Sequence, residues 1–402
     1  MAKKASVRDV RRTNRALLVR HLLLGGETSR SAVGFDTGLS PATVTSVMAE
    51  LLNEQTVREE GFLDSVGGRR RVIVGLNPDA AILFGADVGE TQVTTAAFDL
   101  TLNRLGSRTT PFADRRIEPE QVVALLIEHV DALLSELEIN RSKVLGLGLG
   151  VPGIVENPAT EARKLRESIV HAEVLGWKAV SFSNLSTTLG FPVYIDNGAK
   201  TTTQAESWYG SAKGIDHAIV VLIGDGAGAG IITNGRLYRG SSSSAGEWGH
   251  TKISLDGVRC RCGSYGCVET FVGASAVLER WRGREDTWTG RETEGIAALL
   301  EAFEDGHPQA EDAVRSVINH LGLALSNLVN LYNPQKIIVG GWFGDQIAER
   351  FLEEIGAAMR RFSLEQPGSE AVLERSRLGN DAVALGAATL PLDRFIEMGW
   401  PQ

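Results

Sequence analysis

The segment GEWGHTKISLDGVRCRCGSYGCVET, from Gly246 to Thr270, holds all three cysteines of a 402-residue chain. Cys260, Cys262 and Cys267 follow His250, and carboxylates flank the set at Glu247 and Glu269. Three thiols and one imidazole make the four N/S donors of a closed tetrahedral zinc site. The alternative is a stray disulfide with a spare thiol, which an odd cysteine count and the lack of a leading secretory segment disfavour. Gly263 and Gly266 permit the tight turns a knuckle needs. A structural Zn(2+) bound by His250, Cys260, Cys262 and Cys267 is therefore expected.

Around this segment the composition is that of a folded protein, with 43% hydrophobic and 23% charged residues. No apolar run approaches the ~20 residues of a membrane-spanning helix. LLVRHLLL near the start is broken by Arg20 and His21, so no secretory core is expected and the cytoplasm is the expected location. Charge is uneven. Residues 1–76 are net +4 and the remainder net −13, giving −9 overall. A basic head on an acidic body points to nucleic acid at one end only.

That head reads as three helices. The first spans about Asp9 to Leu24 and ends at Gly25-Gly26; the second runs from near Ser29 to the Thr37-Gly38 turn. Ser40-Pro41 supplies an N-cap and first-turn proline for the third, with Val44, Val47, Met48, Leu51 and Leu52 on one face. This is a helix-turn-helix pattern, in which Ser40, Thr43 and Thr45 open the recognition helix. VREEGF and RRRVIVGL can pair as a β-hairpin wing, placing Arg69, Arg70 and Arg71 against phosphates or a minor groove. A plain three-helix packing unit with a solvated basic turn is the competing reading.

Beyond Asn77-Pro78, AILFGADVG and TQVTTAAFDL read as strand, turn, strand, followed by NRLGSRTTPF and an amphipathic helix from about Pro119 to Glu138. VLGLGLGV closes on the Val151-Pro152-Gly153 turn. HAIVVLIGDGAGAGIITNGRLY repeats the strand, turn, strand unit from near residue 218, with glycines at 224, 226, 228 and 230 that would let backbone amides approach a phosphate. Two such units imply a duplicated α/β architecture with a cleft between lobes. Helices are expected at about 308–332, 345–362 and 380–395, around the strand KIIVGG.

Taken together, GLGLGVPG at 146–153, IDNGAKTTTQAESWYG at 195–210, the glycine-rich 224–230 turn and above all GEWGH followed by CRCGSYGCVE resemble the ROK family of repressors, open reading frames and sugar kinases. The helix-turn-helix and GGRRR place the resemblance with the repressor branch. It implies a two-lobed actin-like, hexokinase-like fold of the duplicated RNase H type with sugar between the lobes. It also implies sugar-binding roles for Asn197, Glu247, His250 and Glu269. The expected organisation is a winged helix-turn-helix over 1–76, a first lobe over 77–196 and a second over 197–402, the last helix able to pack back on the first lobe. The loop from about Glu161 to Trp177 is expected to shape the pocket.

Three positions depart from the kinases of that family. Where they carry an Asn-Asp pair whose Asp is the general base, this chain has Asn197-Gly198, and Gly198 accepts no proton. Asp196 lies two residues back, about two strand rises away. The first phosphate turn has Glu90 in place of a glycine, and the second has Asp225 between Gly224 and Gly226, so each adds negative charge where polyphosphate would sit. The expectation is therefore no catalytic residue and no enzyme, but a regulator responding to a sugar or phosphosugar, bound to double-stranded operator DNA as a homodimer or homotetramer and acting as a repressor of carbohydrate genes. A sugar kinase that keeps a DNA-binding head is the first alternative, and a scaffold regulated by a protein partner is the second.

Overall fold

The computed structural model describes residues 6–63, 71–112, 116–156, 168–283 and 291–398. Its head comprises α1 (Val7–Gly25), β1 (Thr28–Ser29), α2 (Arg30–Thr37), α3 (Pro41–Asn53), β2 (Val57–Leu63) and β3 (Arg71–Leu76). Each expected helix is present; the third starts on the expected Ser40-Pro41, and the first starts two residues earlier than expected, at Val7 on a Ser6 cap. Ser29 and Ser40 accept from the backbone amides of Ala32 and Thr43, and Gly38 closes α2 in the left-handed conformation. The hairpin β2–β3 is antiparallel, and β1 adds a third strand on the far side of β3.

The body contains two five-stranded sheets with one plan. In the first, β4 (Ile82–Val88), β5 (Gln92–Asp99) and β6 (Arg104–Pro111) form an antiparallel meander. After α4 (Pro119–Glu136), β7 (Val144–Val151) pairs parallel to β4, and a small sheet forms from β8 (Ile154–Glu156), β9 (Ile169–Ala172) and β10 (Trp177–Ser181). Next come α5 (Ser183–Leu189) and β11 (Val193–Asn197), which pairs parallel to β7, and then α6 (Gly198–Tyr209). The second sheet repeats the order. There β12 (Ala218–Ile223), β13 (Ala227–Thr233) and β14 (Arg236–Tyr238) make the meander. Past α7 (Glu269–Val272), α8 (Ala274–Arg282), α9 (Glu292–Glu304) and α10 (Pro308–Tyr332) come β15 (Lys336–Gly340), α11 (Trp342–Phe362), α12 (Glu365–Glu370) and β16 (Val372–Arg375), with β15 and β16 parallel to β12. A meander followed by two parallel strands, twice over, is the duplicated α/β architecture expected from the repeated strand–turn–strand unit.

The last helix, α13 (Ala382–Glu397), lies on the first sheet rather than the second. The glycines of VLGLGLGV explain how it fits. A Cβ on Gly148 would fall 1.8 Å from the Ala387 carbonyl oxygen, and one on Gly85 of the neighbouring strand 1.9 Å from that of Ala384. The second glycine run divides between packing and turn. Gly228 and Gly230 face α6, with a Cβ on Gly230 only 1.9 Å from Thr203 Oγ1. These two glycines serve helix packing, and only Gly224 and Gly226 belong to the turn.

The head shares a core with the body. Leu18, Leu22 and Leu51 cluster with Leu83 and Phe98 of the first sheet, Trp208 of α6, and Ala388, Leu392 and Ile396 of α13. Arg20 of α1 pairs with Asp393 of α13 and stacks over Trp208, 5.6 Å from its ring centre. Burying such large apolar side chains stabilises this joint by about 1.5–3 kcal/mol each. Among the described residues, no helix is long and apolar enough to cross a membrane.

Candidate sugar pocket and metal knuckle

Two glycines set the GEWGH segment flat on β13. Gly246 has φ +96°, and a Cβ there would sit 2.0 Å from the Ala229 carbonyl oxygen; at Gly249 it would sit 1.9 Å from that of Ala227. Between them Trp248 is buried, its Nε1 donating to the Ala324 carbonyl at 3.2 Å. Strand contact and tryptophan anchor together hold the tight turn in which the His250 amide donates to the Glu247 carbonyl at 3.1 Å.

The loop that follows brings together the four sequence-predicted ligands. One ligand atom from each of His250, Cys260, Cys262 and Cys267 lies within 4.8 Å of the others. Cys260 Sγ is 3.7 Å from His250 Nδ1, and Cys262 Sγ is 3.7 Å from Cys267 Sγ. Sulfurs about 2.3 Å from a shared tetrahedral centre stand roughly 3.8 Å apart, so the donor set fits a metal ion as it is. No disulfide forms among the three thiols. Lys252 Nζ, 2.9 Å from Cys267 Sγ, adds a cation beside the thiolates.

The sequence-predicted sugar residues converge on the same cleft, in different states. Glu247 is half-buried, and burial pushes its carboxyl up against the pull of Lys200. Asn197 caps α6: its Oδ1 accepts from the amides of Ala199 (2.9 Å) and Lys200 (3.3 Å), and its Nδ2 donates to the Gly153 carbonyl at 2.8 Å. One N–H of that amide is left for a ligand. Glu269 is buried and heavily bonded, accepting from the Ala227 amide and twice from Arg261.

Sequence reasoning missed several residues here. Lys200, 1% exposed on the first turn of α6, donates to the Ser243 carbonyl; burial pulls its ammonium down while Asp196 and Glu247 hold it up. Arg239 pairs with Asp196 at 2.6 Å, and Asp196 also accepts from the Asn197 amide. Asp196 is thus 2% exposed and already engaged by two donors, which opposes a role as base more strongly than distance does. The available signal was a lone lysine among the small residues of GAKTTTQA.

At the other end of the cleft, side chains fill the corner between the two glycine turns. The Trp342 indole lies so close to Gly224 that a Cβ there would be 2.9 Å from its Nε1, and Arg261 Nη2 stands 2.3 Å from where a Gly226 Cβ would be. Glu90, expected to repel phosphate, instead accepts from Arg261 at 2.7 and 2.9 Å. Burial pushes the nearby Asp87 carboxyl up to about 7. A cation between Cys260 and Cys262 was the readable clue to Arg261, and the aromatic after Gly340-Gly341 the clue to Trp342.

In the head, Ser40 and Thr45 are exposed at the start of α3, while Thr43 is half-buried and turns back to bond Ser40 at 2.9 Å. Arg71 is exposed at the start of β3. Arg69 and Arg70, together with Glu161 and the rest of the pocket loop up to residue 167, lie outside the described residues.

Comparison with known proteins agrees with this architecture. The chain is 29% identical to the xylose repressor of Caldicellulosiruptor bescii, over 96% of its own length and 97% of the relative's. Its fold matches that of a ROK family transcriptional regulator, a homolog of the Escherichia coli MLC protein, with TM-score 0.75 at 24% identity across 97% and 98% of the two chains. It also matches a ROK family glucokinase from Streptomyces griseus solved with glucose and AMPPNP, with TM-score 0.66 at 25% identity over 77% of this chain and 99% of that one. The ROK family pattern matches residues 83–394, a span holding both sheets, the knuckle and the cleft, and the chain belongs to the ROK family.

Proposed function

We propose that this protein is a sugar-responsive, DNA-binding transcriptional regulator, a repressor of carbohydrate uptake or catabolism genes, with an effector domain that has the kinase fold and no kinase activity. The observation that carries the reading is the difference between the two ends of the cleft. Glu247 and one Asn197 N–H remain available beside the knuckle, whereas Arg261 and Trp342 pack over the turns where a nucleotide's phosphates would lie. Position 198, at the start of α6, has no side chain to take a proton.

In this reading a Zn(2+) ion held by His250, Cys260, Cys262 and Cys267 is structural, since four protein ligands leave no open position for water. His250 would orient a hydroxyl from the knuckle, and Asn197, Glu247 and Glu269 would hydrogen-bond a sugar or phosphosugar. Ser40, Thr43 and Thr45 would face base edges, with Arg69, Arg70 and Arg71 on phosphates. Residues 1–76, 77–196 and 197–402 serve as head, first lobe and second lobe, α13 bracing the first.

The response needs a path from pocket to head. Helix α6 is capped by Asn197 and packs along α13, and α1 is tied to both, its Arg20 pairing with Asp393 of α13 and stacking over Trp208 of α6. A sugar that binds one arrangement of the lobes more tightly would shift the heads of a homodimer or homotetramer relative to half-sites on cytoplasmic DNA. Fluorescence anisotropy on duplex sites selected from random DNA tests this. Affinity should fall with one member of a sugar and phosphosugar panel, and binding indifferent to every member would overturn the proposal.

A further inference from the structure

We propose that Arg261 is a latch between the lobes, tying Glu90 of the first glycine turn to Glu269 at the start of α7 and to the second turn. The guanidinium bonds Glu90 through Nη1 (2.7 Å) and Nη2 (2.9 Å), and Glu269 through Nε (2.7 Å) and Nη2 (3.0 Å). Glu90 and Arg261 lie 171 residues apart in sequence, on opposite lobes. Glu269 then reaches the second turn directly, accepting from the Ala227 amide at 3.0 Å. Four charge-assisted bonds from one planar cation join two carboxylates, the geometry arginine holds better than any other side chain.

The arrangement inverts the charge of what the fold would place there. An anion held between backbone amides can bridge two glycine turns. Here a cation held between two carboxylates bridges them instead, with Gly226 leaving it room. Glu90, unaccountable in a phosphate turn, is accounted for as the latch's partner on the first lobe. The latch also has a consequence for the pocket. Three N–H donors already occupy most of the acceptor capacity of Glu269, so a ligand hydroxyl engaging that carboxylate does so beside Arg261. The inference rests on the bridge itself and not on the identity of any sugar.

Hydrogen exchange on the full-length, metal-loaded protein tests it, comparing wild type with Glu90→Gln, Arg261→Gln and the double variant. Glu90→Gln should speed exchange about tenfold both at 89–92 and across the cleft at 224–228, and the double variant should go no further than the larger single change. Metal content is measured on each sample. Should Arg261→Gln lose metal, Glu90→Gln, which leaves the knuckle untouched, carries the test alone. Unchanged exchange in Glu90→Gln, loosening confined to 89–92, or effects that multiply in the double variant would each overturn the latch.

Discussion

On the knuckle side of the cleft, Glu247 and Asn197 keep hydrogen-bonding capacity for a ligand, and the walls beside them are ion-paired or capped rather than filled. At the corner between the glycine turns, Trp342 and Arg261 press against Gly224 and Gly226, and Glu90 is satisfied within the protein. The same duplicated backbone supports both ends. A fold whose relatives include a glucokinase can therefore lose one ligand's site and keep the other's, because the two sites draw on different side chains of a common frame.

Breaking the knuckle should have the largest effect. Cys262→Ser leaves three donors, so metal content should drop well below one per chain and the melting temperature should fall by several degrees or more. Stoichiometric metal with unchanged melting would remove Cys262 from the ligand set. Glu247→Gln comes next. Loss of one charged acceptor should weaken the effector sugar by about 1.5–3 kcal/mol, roughly ten- to hundredfold in calorimetry, while metal content stays constant. An equal loss of affinity in Trp342→Ala would erase the contrast between the two ends of the cleft.

A smaller change is expected in the head. Arg71→Ala should lower the salt slope of DNA binding by about one phosphate contact, with affinity falling similarly on all sequences; an unaltered slope would take Arg71 off the DNA. The filled corner makes a pH prediction. Asp87 has its carboxyl pushed from 3.8 to about 7 by burial, so the unfolded chain releases this proton first as pH rises. Stability from this group is full below pH 4 and declines between about 4 and 7. Asp87→Asn should flatten that decline in urea unfolding and gain relative to wild type at pH 8. The smallest effect is expected from Gly198→Asp, which restores a carboxylate where the family kinases have their base. With the phosphate corner filled, ATP-dependent turnover should stay at background in a coupled assay, and measurable turnover would show that the corner is open.

Much of this was legible in the chain because it rests on short-range chemistry. The Ser40-Pro41 helix start, glycine stops and alternating strands located the head and both sheets. Spacing alone brought His250 to the three cysteines, since a tight loop leaves few other arrangements. What stayed hidden depends on contacts distant in sequence. Glycine is permissive in both turns and packing, so nothing local separated Gly226, which makes room for Arg261, from Gly230, which makes room for Thr203. Nor could sequence show that Glu90 meets an arginine 171 positions away, or that Asp196 is held by Arg239. A lone carboxylate reads as repulsion until its partner is placed.

Calorimetry on one metal-loaded sample, titrated first with a panel of sugars and phosphosugars and then with AMP-PNP, separates the two ends of the cleft in a single experiment. Binding heat is expected from one sugar, none from the nucleotide with or without that sugar, and no ADP release when ATP replaces the analogue. Nucleotide binding accompanied by sugar-dependent turnover at about 1 s⁻¹ or faster, an ordinary enzyme rate, would contradict this expectation and make the protein a kinase with a DNA-binding head.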